Sequence, residues 1–355
     1  MLKRLKFDLG ELANKIISKL PNELFESDST TFLDPEIGGG QFVRAVEERL
    51  RQHGHSDSNI SRRVFGLTEN RIRLNYIKNT YESVGTYSVG DFLTTEYNEM
   101  KFDVIIGNPP YNDSTTVQSE SGLNQRKGSN LARLFLEYSL TLTKPTGYTA
   151  LVLPISRVFT DKVINDLVED GYLHLYDATP YFPKVKLGKI TAMLYCKQEQ
   201  GRYVNEIQPY SRVNNSLSKL ISQTTIVDSK KGFSRKTLEE ALQDTGQYEV
   251  WVSMSKTMYT DSIDTINEIG DKSKGYWRVA MPGLANSMKD IGKIEIVPPH
   301  ITLFGTCKAF TVKSEAEALK LYDYLRSDEV LEKLYKVKTS IANSKKFFDY
   351  IENPL

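Results

Sequence analysis

The side chains with the clearest chemical potential lie in the tetrapeptide Asn108-Pro109-Pro110-Tyr111. It directly follows Phe102–Gly107, a run rich in β-branched residues that predicts a strand. Two prolines remove two backbone donors and stiffen the chain, so the Asn108 side-chain oxygen and the Pro109 carbonyl can face one small space. Each oxygen can accept one N–H of a planar amino group, and Tyr111 can stack on the attached ring. The tetrapeptide therefore indicates a site for a planar amine.

A glycine-rich segment follows the strand signal Thr31-Phe32-Leu33. It reads Asp34-Pro35-Glu36-Ile37-Gly38-Gly39-Gly40-Gln41-Phe42. Glycines permit positive φ angles and let a ligand approach the backbone closely. The pattern is not the G-x-G-x-x-G dinucleotide fingerprint, because the third glycine would fall on Val43. A plain glycine-rich turn is the competing interpretation.

Two further acidic positions follow predicted strands. Glu69 comes shortly after Val64–Leu67, where a carboxylate can accept the hydroxyls of a ribose. The alternative is a helix N-terminal charge that interacts with the helix dipole. Asp91-Phe92 follows Thr86–Val89 and offers an acceptor beside an aromatic face, which suits an adenine ring. The alternative for this pair is a turn followed by a core residue.

Strand and helix patterns alternate through the first 200 residues. This rhythm predicts an α/β fold with a mostly parallel sheet covered by helices on both faces. Such sheets bind ligands at the carboxyl ends of their strands, which is where the candidate residues stand. The rhythm breaks after Cys196, so we expect one domain at 1–200 and a second at 201–355. At 355 residues, the chain is long enough for two domains.

Composition excludes several classes of protein. The net charge is +1, so nucleic-acid binding would need a local basic patch rather than a uniformly basic surface. Two cysteines, Cys196 and Cys307, exclude a disulfide framework and a cysteine-rich zinc site, and no metal site is expected at His53 and His55. The first residues contain no apolar region typical of secretion, and no apolar run suits a membrane span. We expect a cytoplasmic protein of bacterial or phage origin that does not contact a membrane.

The motifs together resemble a known family. Asp34-Pro35-x-x-Gly38-x-Gly40-x-Phe42 followed by Asn108-Pro109-Pro110-Tyr111 is similar to the S-adenosylmethionine-dependent DNA adenine-N6 methyltransferases of the gamma-class, or TaqI-like, group. The resemblance covers roughly residues 9 to 197. It implies a Rossmann-like methyltransferase sheet and a C-terminal α+β domain that recognises the target DNA.

The resemblance also implies which residues bind S-adenosylmethionine. They are Asp34, Pro35, Gly38, Gly40, Phe42, Glu69, Asp91 and Phe92. Asp34 and the two glycines would line the methionine portion, with Phe42 packed beneath the loop. The ribose hydroxyls would be held by the carboxylate of Glu69. A helix at Leu9–Leu20 would supply the N-terminal cofactor motif, although its usual Thr-Pro beginning is missing.

The adenine contacts follow in the same way from the resemblance. Asp91 would accept from the adenine amino group of the cofactor, and Phe92 would lie against its ring. Asn108, Pro109 and Tyr111 would hold the target adenine. An aromatic residue, Phe182 or its rival Tyr181, would cover the other face of that base, unless both are core residues.

The implied reaction is methyl transfer to the N6 amino group of an adenine flipped out of duplex DNA, within a restriction-modification system. Double-stranded DNA is the expected partner, and a separate restriction endonuclease is a candidate second one. The alternatives are another planar amine, such as an RNA base or a protein glutamine, and a non-catalytic DNA-binding subunit that keeps only the fold. The polar stretch 112–129 is expected to be a loop that orders over the base, with an inert surface loop as the alternative.

Basic and aromatic residues are interleaved in the second half of the chain, a composition that suits phosphate and base contacts. An ordinary solvated surface is the alternative. The candidates are Lys230, Lys231, Phe233, Arg235, Lys236, Trp251, Tyr276, Trp277, Arg278, Lys289, Lys293, Lys333, Tyr335, Lys336, Lys338, Lys345, Lys346, Phe347 and Phe348.

Overall fold

The chain divides into two compact units in the computed structural model. The residues described are 9–111, 130–183, 185, 188–198, 201–208, 210–223, 235–305 and 307–355. Unit 1 comprises Met1–Val185 and Lys189–Ile207, and unit 2 comprises Lys186–Gly188 and Gln208–Leu355. The expected loop at 112–129 lies outside the described residues.

Unit 1 contains an eight-stranded, mostly parallel sheet. Its strands are β1 (Phe32–Asp34), β2 (Val64–Thr68), β3 (Thr86–Val89), β4 (Phe102–Gly107), β5 (Thr143–Pro154), β6 (Tyr172–Asp177), β7 (Ile190–Cys196) and β8 (Arg202–Asn205). They are ordered β3-β2-β1-β4-β5-β7-β6-β8. Only β7 runs antiparallel to its neighbours, β5 and β6. The predicted α/β fold class is confirmed.

Helices cover both faces of this sheet. They are α1 (Leu9–Ile17), α2 (Glu23–Glu26), α3 (Gln41–Gln52), α4 (Asp57–Ser61), α5 (Arg71–Tyr81), α6 (Leu131–Leu142), α7 (Ile155–Val158) and α8 (Asp161–Asp170). Successive residues of β4 alternate between two cores. Val104 and Ile106 pack with α1, α3 and α5, whereas Ile105 packs with α6 and α8. A strand buried on both faces explains the continuous apolar sequence of β4.

The expected domain boundary at residue 200 falls before β8. This short strand pairs in parallel with β6 and so extends the sheet of unit 1. Its residues Arg202–Asn205 are exposed or partly buried, and they lack the apolar character by which the inner strands are recognised in the sequence.

Capping side chains decide where the helices begin. The Asn70 side chain accepts the backbone N–H groups of Ile72 and Arg73, at 2.9 and 3.1 Å. Helix α5 therefore begins at Arg71, and Glu69 stands outside the helix.

A buried carboxylate holds the chain between α5 and β3. Glu47 of α3 is 1% exposed and accepts the backbone N–H groups of Val84 and Gly85, at 3.1 and 2.8 Å. It also accepts the hydroxyl groups of Ser83 and Tyr87. Four donors satisfy this buried charge, so Glu47 acts as a structural anchor for the start of β3.

Unit 2 has an α+β organisation with two small sheets. Its elements are β9 (Ile221–Gln223), α9 (Arg235–Glu240), β10 (Tyr248–Ser253), β11 (Lys256–Thr260), α10 (Ile263–Ile269), β12 (Trp277–Pro282), β13 (Glu295–Val297), β14 (Thr302–Leu303), β15 (Cys307–Val312), α11 (Glu315–Leu325) and α12 (Asp328–Val337). The sheets are ordered β11-β10-β14 and β13-β12-β15-β9. Helices α11 and α12 bury their apolar faces in the same core as β12 and β15.

Candidate active site

A cavity of about 660 Å³ lies where β1, β2 and β4 end. Its lining includes residues that follow each of these strands: Glu36, Gly38, Gly39, Ile72, Arg73, Tyr76, Asn108, Pro109, Pro110 and Tyr111. The volume falls in the range of small-molecule sites. The fold thus brings the glycine-rich segment and the tetrapeptide, far apart in sequence, to one cavity.

The glycine-rich segment turns sharply between β1 and α3. Gly38 and Gly40 have φ angles of +56° and +82°, a region that side chains other than glycine rarely adopt. The N–H of Ile37 donates to the Leu67 carbonyl at 2.8 Å and ties the turn to β2. Phe42, at the start of α3, is 4% exposed and packs in the core. The Ile37 hydrogen bond and the packing of Phe42 therefore fix the turn, and the backbone of Gly38 and Gly39 lines the cavity.

Asp34 ends β1 as a fully enclosed carboxylate. Its Oδ1 accepts the Glu36 N–H at 3.1 Å, and its Oδ2 is buried without a hydrogen-bond partner in the described part of the chain. Burial, and secondarily the nearby charge of Glu36, raises the pKa of Asp34 well above its usual value. A Cβ placed on Gly107 would stand 2.5 Å from Oδ1 and 3.1 Å from the Pro35 ring, so only glycine fits at the end of β4.

A hydrogen bond joins the first and last side chains of the tetrapeptide. The Tyr111 hydroxyl donates to Asn108 Oδ1 at 2.8 Å, which occupies the oxygen expected to accept a target amino group. The Tyr111 ring is partly buried against both cores of unit 1, and burial raises the pKa of its hydroxyl. Pro109 is buried, whereas Pro110 is exposed. In this arrangement Tyr111 approaches Asn108 through its hydroxyl.

Glu36 is the residue of this cavity whose role the sequence did not reveal. Its carboxylate accepts the Thr68 hydroxyl at 3.0 Å and the backbone N–H groups of Gly38 and Glu69. The guanidinium of Arg73 lies 3.9 Å from Oε1. Burial raises the pKa of Glu36, and these donors oppose the rise. The sequence marked the glycine-rich segment that contains Glu36 but gave its carboxylate no role.

The predicted acceptors after β2 and β3 are placed differently. The side chain of Glu69 is exposed. The carboxylate of Asp91 accepts the Leu93 N–H at 2.9 Å and so forms a turn with its own chain.

The ring of Phe92 is enclosed in an aromatic core cluster. It is 1% exposed and has ring centroids of Phe135 and Tyr138 at 5.1 Å and of Tyr97 at 6.0 Å. This placement differs from the expectation that the Phe92 ring lies against the cofactor, because neighbouring aromatic rings already cover it.

Tyr181 and Phe182 both remain partly exposed after β6. The Tyr181 hydroxyl lies 3.5 Å from Glu11 Oε1, and Lys15 Nζ lies 5.9 Å from the ring centroid. Phe182 packs against the apolar cluster that contains α1 and α3. Tyr181 thus contacts two charged side chains of α1, whereas Phe182 packs against apolar ones.

Comparison with protein-family models adds an independent observation. Residues 43–174 match the Eco57I restriction-modification methylase family. The matched region is less than half of the chain. It contains the tetrapeptide, Glu69 and Asp91, but not the glycine-rich segment. The chain is similar to this family over a region that includes β2 and β4, two of the three strands that end at the cavity.

Solved structures with a similar fold include enzymes of restriction-modification systems. The EcoKI M protein of a type I restriction enzyme is 16% identical, with 58% of this chain and 50% of that chain covered and a TM-score of 0.42. The type IIL enzyme MmeI, solved with DNA, is 11% identical over 98% of this chain and 66% of its own, with a TM-score of 0.46. A TehB-like S-adenosylmethionine-dependent methyltransferase from Corynebacterium glutamicum is 16% identical over 52% and 87%, with a TM-score of 0.32.

These similarities carry no residue assignments. The chain spans about half the length of the type I restriction-modification structures that it matches. No curated protein sequence matches the chain.

The structure corrects the predicted basic and aromatic surface of unit 2. Arg278 is fully buried, and its guanidinium pairs with Asp271 at 3.0 Å and donates to the Ile301 carbonyl at 2.8 Å. Lys338 is 1% exposed and donates to the Asp290 carbonyl at 2.9 Å, and burial lowers its pKa to about 8. Their internal hydrogen bonds allow these charges to be buried. Phe347 and Phe348 are also core residues.

Several candidates of that surface do remain at the surface of unit 2. Five lysines and one tyrosine are exposed: Lys236, Lys289, Lys293, Lys345, Lys346 and Tyr276. The positions 230, 231 and 233 lie outside the described residues. The basic surface is therefore smaller than the sequence suggested.

Neither a metal centre nor a membrane span emerges from the described ranges. Among them, no three His, Cys, Asp or Glu side chains converge to hold a metal. His55 instead contacts the Phe25 carbonyl through Nε2 at 2.6 Å and Asp28 through Nδ1 at 3.2 Å. No helix in these ranges has the length and apolar character needed to cross a membrane.

Proposed function

We propose that the chain is an S-adenosylmethionine-dependent DNA methyltransferase that modifies the N6 amino group of adenine within a restriction-modification system. The observation that carries this proposal is the shared cavity, in which Asn108, Pro109 and Tyr111 face the glycine-rich turn. The family match over residues 43–174 supports the methylase class. The choice of adenine rests on the resemblance of the tetrapeptide.

The residues of the cavity fit S-adenosylmethionine. A cofactor that carries a sulfonium cation suits a cavity lined by the carboxylate of Glu36. At the end of β1, the buried Oδ2 of Asp34 has no hydrogen-bond partner in the described part of the chain and offers an unused acceptor. Backbone with positive φ at Gly38 and Gly40 allows close approach of a ligand. These residues, with Pro35 and Phe42 shaping the loop and Asp91 following β3, form the proposed cofactor site. The cofactor supplies an electrophilic methyl group, so the reaction needs no metal.

The protein's task is to present the nucleophile. An adenine amino nitrogen is conjugated with its ring, and accepting its two N–H groups at Asn108 Oδ1 and the Pro109 carbonyl favours a nitrogen whose lone pair is available. Such orientation and electrostatic preorganisation contribute several kcal/mol. For this contact the target amino group must share or replace the Tyr111 hydroxyl at Oδ1, and Tyr111 then stacks on the base.

Base flipping is part of the proposal, because a duplex hides the amino nitrogen. Stacking on Tyr111 from one side, and on Phe182 or Tyr181 from the other, offsets part of the unstacking cost by about 1–3 kcal/mol per base. Unit 2 would recognise the DNA sequence, with exposed lysines such as Lys289 and Lys345 contacting phosphates. A separate restriction endonuclease would complete the system.

The direct test is incubation of the full chain with methyl-labelled S-adenosylmethionine and mixed-sequence duplex DNA. Digestion to nucleosides followed by mass spectrometry should reveal labelled N6-methyladenine. Duplexes without adenine serve as the matched substrate control and should stay unlabelled. Label that appears in RNA or in a glutamine side chain instead would assign the site to another planar amine. A folded protein that binds the cofactor but labels no substrate would support a non-catalytic subunit.

A further inference from the structure

One carboxylate at the end of β2 belongs to a residue that follows a different strand, β1. Glu36 belongs to the turn after β1, yet its side chain accepts the hydroxyl of Thr68, the last residue of β2, at 3.0 Å. The backbone N–H of Glu69, the next residue, points to the same carboxylate. The position that follows β2 in space is therefore filled by an acidic side chain from elsewhere in the sequence.

That position has a defined meaning in nucleotide-binding α/β folds. An acidic side chain at the end of the second strand accepts the ribose hydroxyls of the bound nucleotide. We propose that Glu36, and not Glu69, accepts a ribose hydroxyl of the cofactor in this protein. The inference rests on the proposed function, since it assumes that a nucleoside occupies the cavity.

The carboxylate of Glu36 has the capacity for this contact. Two carboxylate oxygens offer about four lone-pair sites. Three donors reach them within the protein, namely the Thr68 hydroxyl and the N–H groups of Gly38 and Glu69. The Arg73 guanidinium, at 3.9 Å, is beyond hydrogen-bond distance. One acceptor site is therefore available to a ligand.

The location of Glu36 also fits a ligand contact. Its side chain is 19% exposed and borders the same cavity as Asn108 and Tyr111. The three donors within the protein fix the orientation of this carboxylate, so it keeps that orientation when a ligand enters. Such preorganisation reduces the entropy lost on binding.

Glu69 is placed to serve Glu36 rather than the ligand. Its side chain is exposed, while its N–H is one of the donors that orient the Glu36 carboxylate. Asn70, the next residue, caps α5 and fixes the backbone at this point. A change in the Glu69 side chain leaves that backbone donor in place, so the two glutamates can be tested separately.

The experiment is a calorimetric titration of the full chain with S-adenosylhomocysteine and with its analogues that lack the 2′- or the 3′-hydroxyl. Glu36→Gln should weaken binding of S-adenosylhomocysteine roughly tenfold to a hundredfold, as expected for a lost hydrogen bond to a charged group. The matched variant Glu69→Gln should stay within about twofold of the wild type. Glu36→Gln should lose much less affinity for at least one analogue, because the hydroxyl that Glu36 accepts is already missing.

Several outcomes would overturn the inference. Equal losses for S-adenosylhomocysteine and both analogues would show that Glu36 shapes the loop without touching the ribose. Unchanged binding in Glu36→Gln, or a large loss in Glu69→Gln alone, would return the role to Glu69. If the wild type bound no S-adenosylhomocysteine, the proposed function itself would fail.

Folding of the variants is checked by circular dichroism and thermal unfolding. Should Glu36→Gln fail to fold, Glu36→Asp keeps the charge but withdraws it by one methylene group. It should show the same dependence on the ribose hydroxyls. The wild type provides a final check, since removal of the contacted hydroxyl from the ligand must weaken its binding; equal affinity for all three ligands would contradict the proposal.

Discussion

Two strands of unit 1 that are consecutive in sequence, β3 and β4, are each followed by an acceptor and an aromatic residue, but the structure places the two pairs differently. After β4, Asn108 and Tyr111 border the cavity and contact each other at 2.8 Å. After β3, the Asp91 carboxylate binds the Leu93 N–H of its own turn, and the Phe92 ring disappears into an aromatic core.

The difference comes from the chain that follows each acceptor. Pro109 and Pro110 stiffen the backbone after β4, and the Tyr111 ring packs against both cores of unit 1 but stays partly exposed. Phe92 follows Asp91 directly and meets Phe135 and Tyr138 of α6. An acceptor beside an aromatic residue thus lines the cavity only where the core does not enclose the ring completely.

The largest expected effect is structural and lies at the β3 end. Phe92→Ala should lower the free energy of unfolding by about 3–5 kcal/mol, because a fully buried ring leaves a cavity among three aromatic neighbours. Urea denaturation followed by circular dichroism measures it. Phe92→Leu is the matched control and should cost clearly less. Wild-type stability of Phe92→Ala combined with weak cofactor binding would show instead that the ring serves the ligand.

At the β4 end the expected effect is catalytic. Asn108→Ala should lower the rate of methyl transfer about 10²–10³-fold, the usual cost of removing one preorganised polar contact, and should leave S-adenosylhomocysteine affinity within about threefold. Single-turnover assays with saturating DNA measure the rate. Asn130→Ala removes the same side chain from the N-terminus of α6 and should leave the rate unchanged. Equal rates for Asn108→Ala and the wild type would break the comparison.

Substitutions of Tyr111 distinguish the contribution of its ring, through stacking, from that of its hydroxyl, through hydrogen bonding. Tyr111→Ala should weaken binding of a DNA with an unpaired target adenine by about 1–3 kcal/mol, because a stacking surface is lost. Tyr111→Phe keeps the ring and frees Asn108 Oδ1, so its affinity should stay within about threefold of the wild type. Fluorescence anisotropy measures both affinities. A loss in Tyr111→Phe as large as in Tyr111→Ala would assign the role to the hydroxyl.

The smallest expected effect concerns the end of β1 and depends on pH. The folded state raises the pKa of Asp34, so the contribution of this group to stability is fully present below its unfolded pKa, about 3.9, and falls as the pH rises through the folded value. Asp34→Asn has no charge to desolvate. Its free energy of unfolding should exceed that of the wild type by on the order of 1 kcal/mol between pH 5 and pH 8. Thermal unfolding across this range measures it, and parallel pH profiles would contradict the assignment of a buried charge.

Local sequence patterns predicted much of the framework of unit 1. The predicted strands at Phe102–Gly107 and Thr86–Val89 coincide with β4 and β3, and the one at Val64–Leu67 ends within one residue of β2. Apolar runs and helical periodicity are local properties, so they survive without knowledge of the neighbours. Pro145 and Gly147 lie inside β5, at a point where the pairing with β4 shifts register and tolerates a proline.

By itself, the sequence determined the order of strands and helices, the glycine turn and the tetrapeptide, because these depend on residue types at short spacing. Only the tertiary structure decided which charged and aromatic side chains face the cavity. Glu36 reaches β2, the Phe92 ring enters the core, and Arg278 and Lys338 are buried in unit 2. Each of these outcomes depends on partners far away in the chain, and the free energy of burying a ring or a charge is set by those partners.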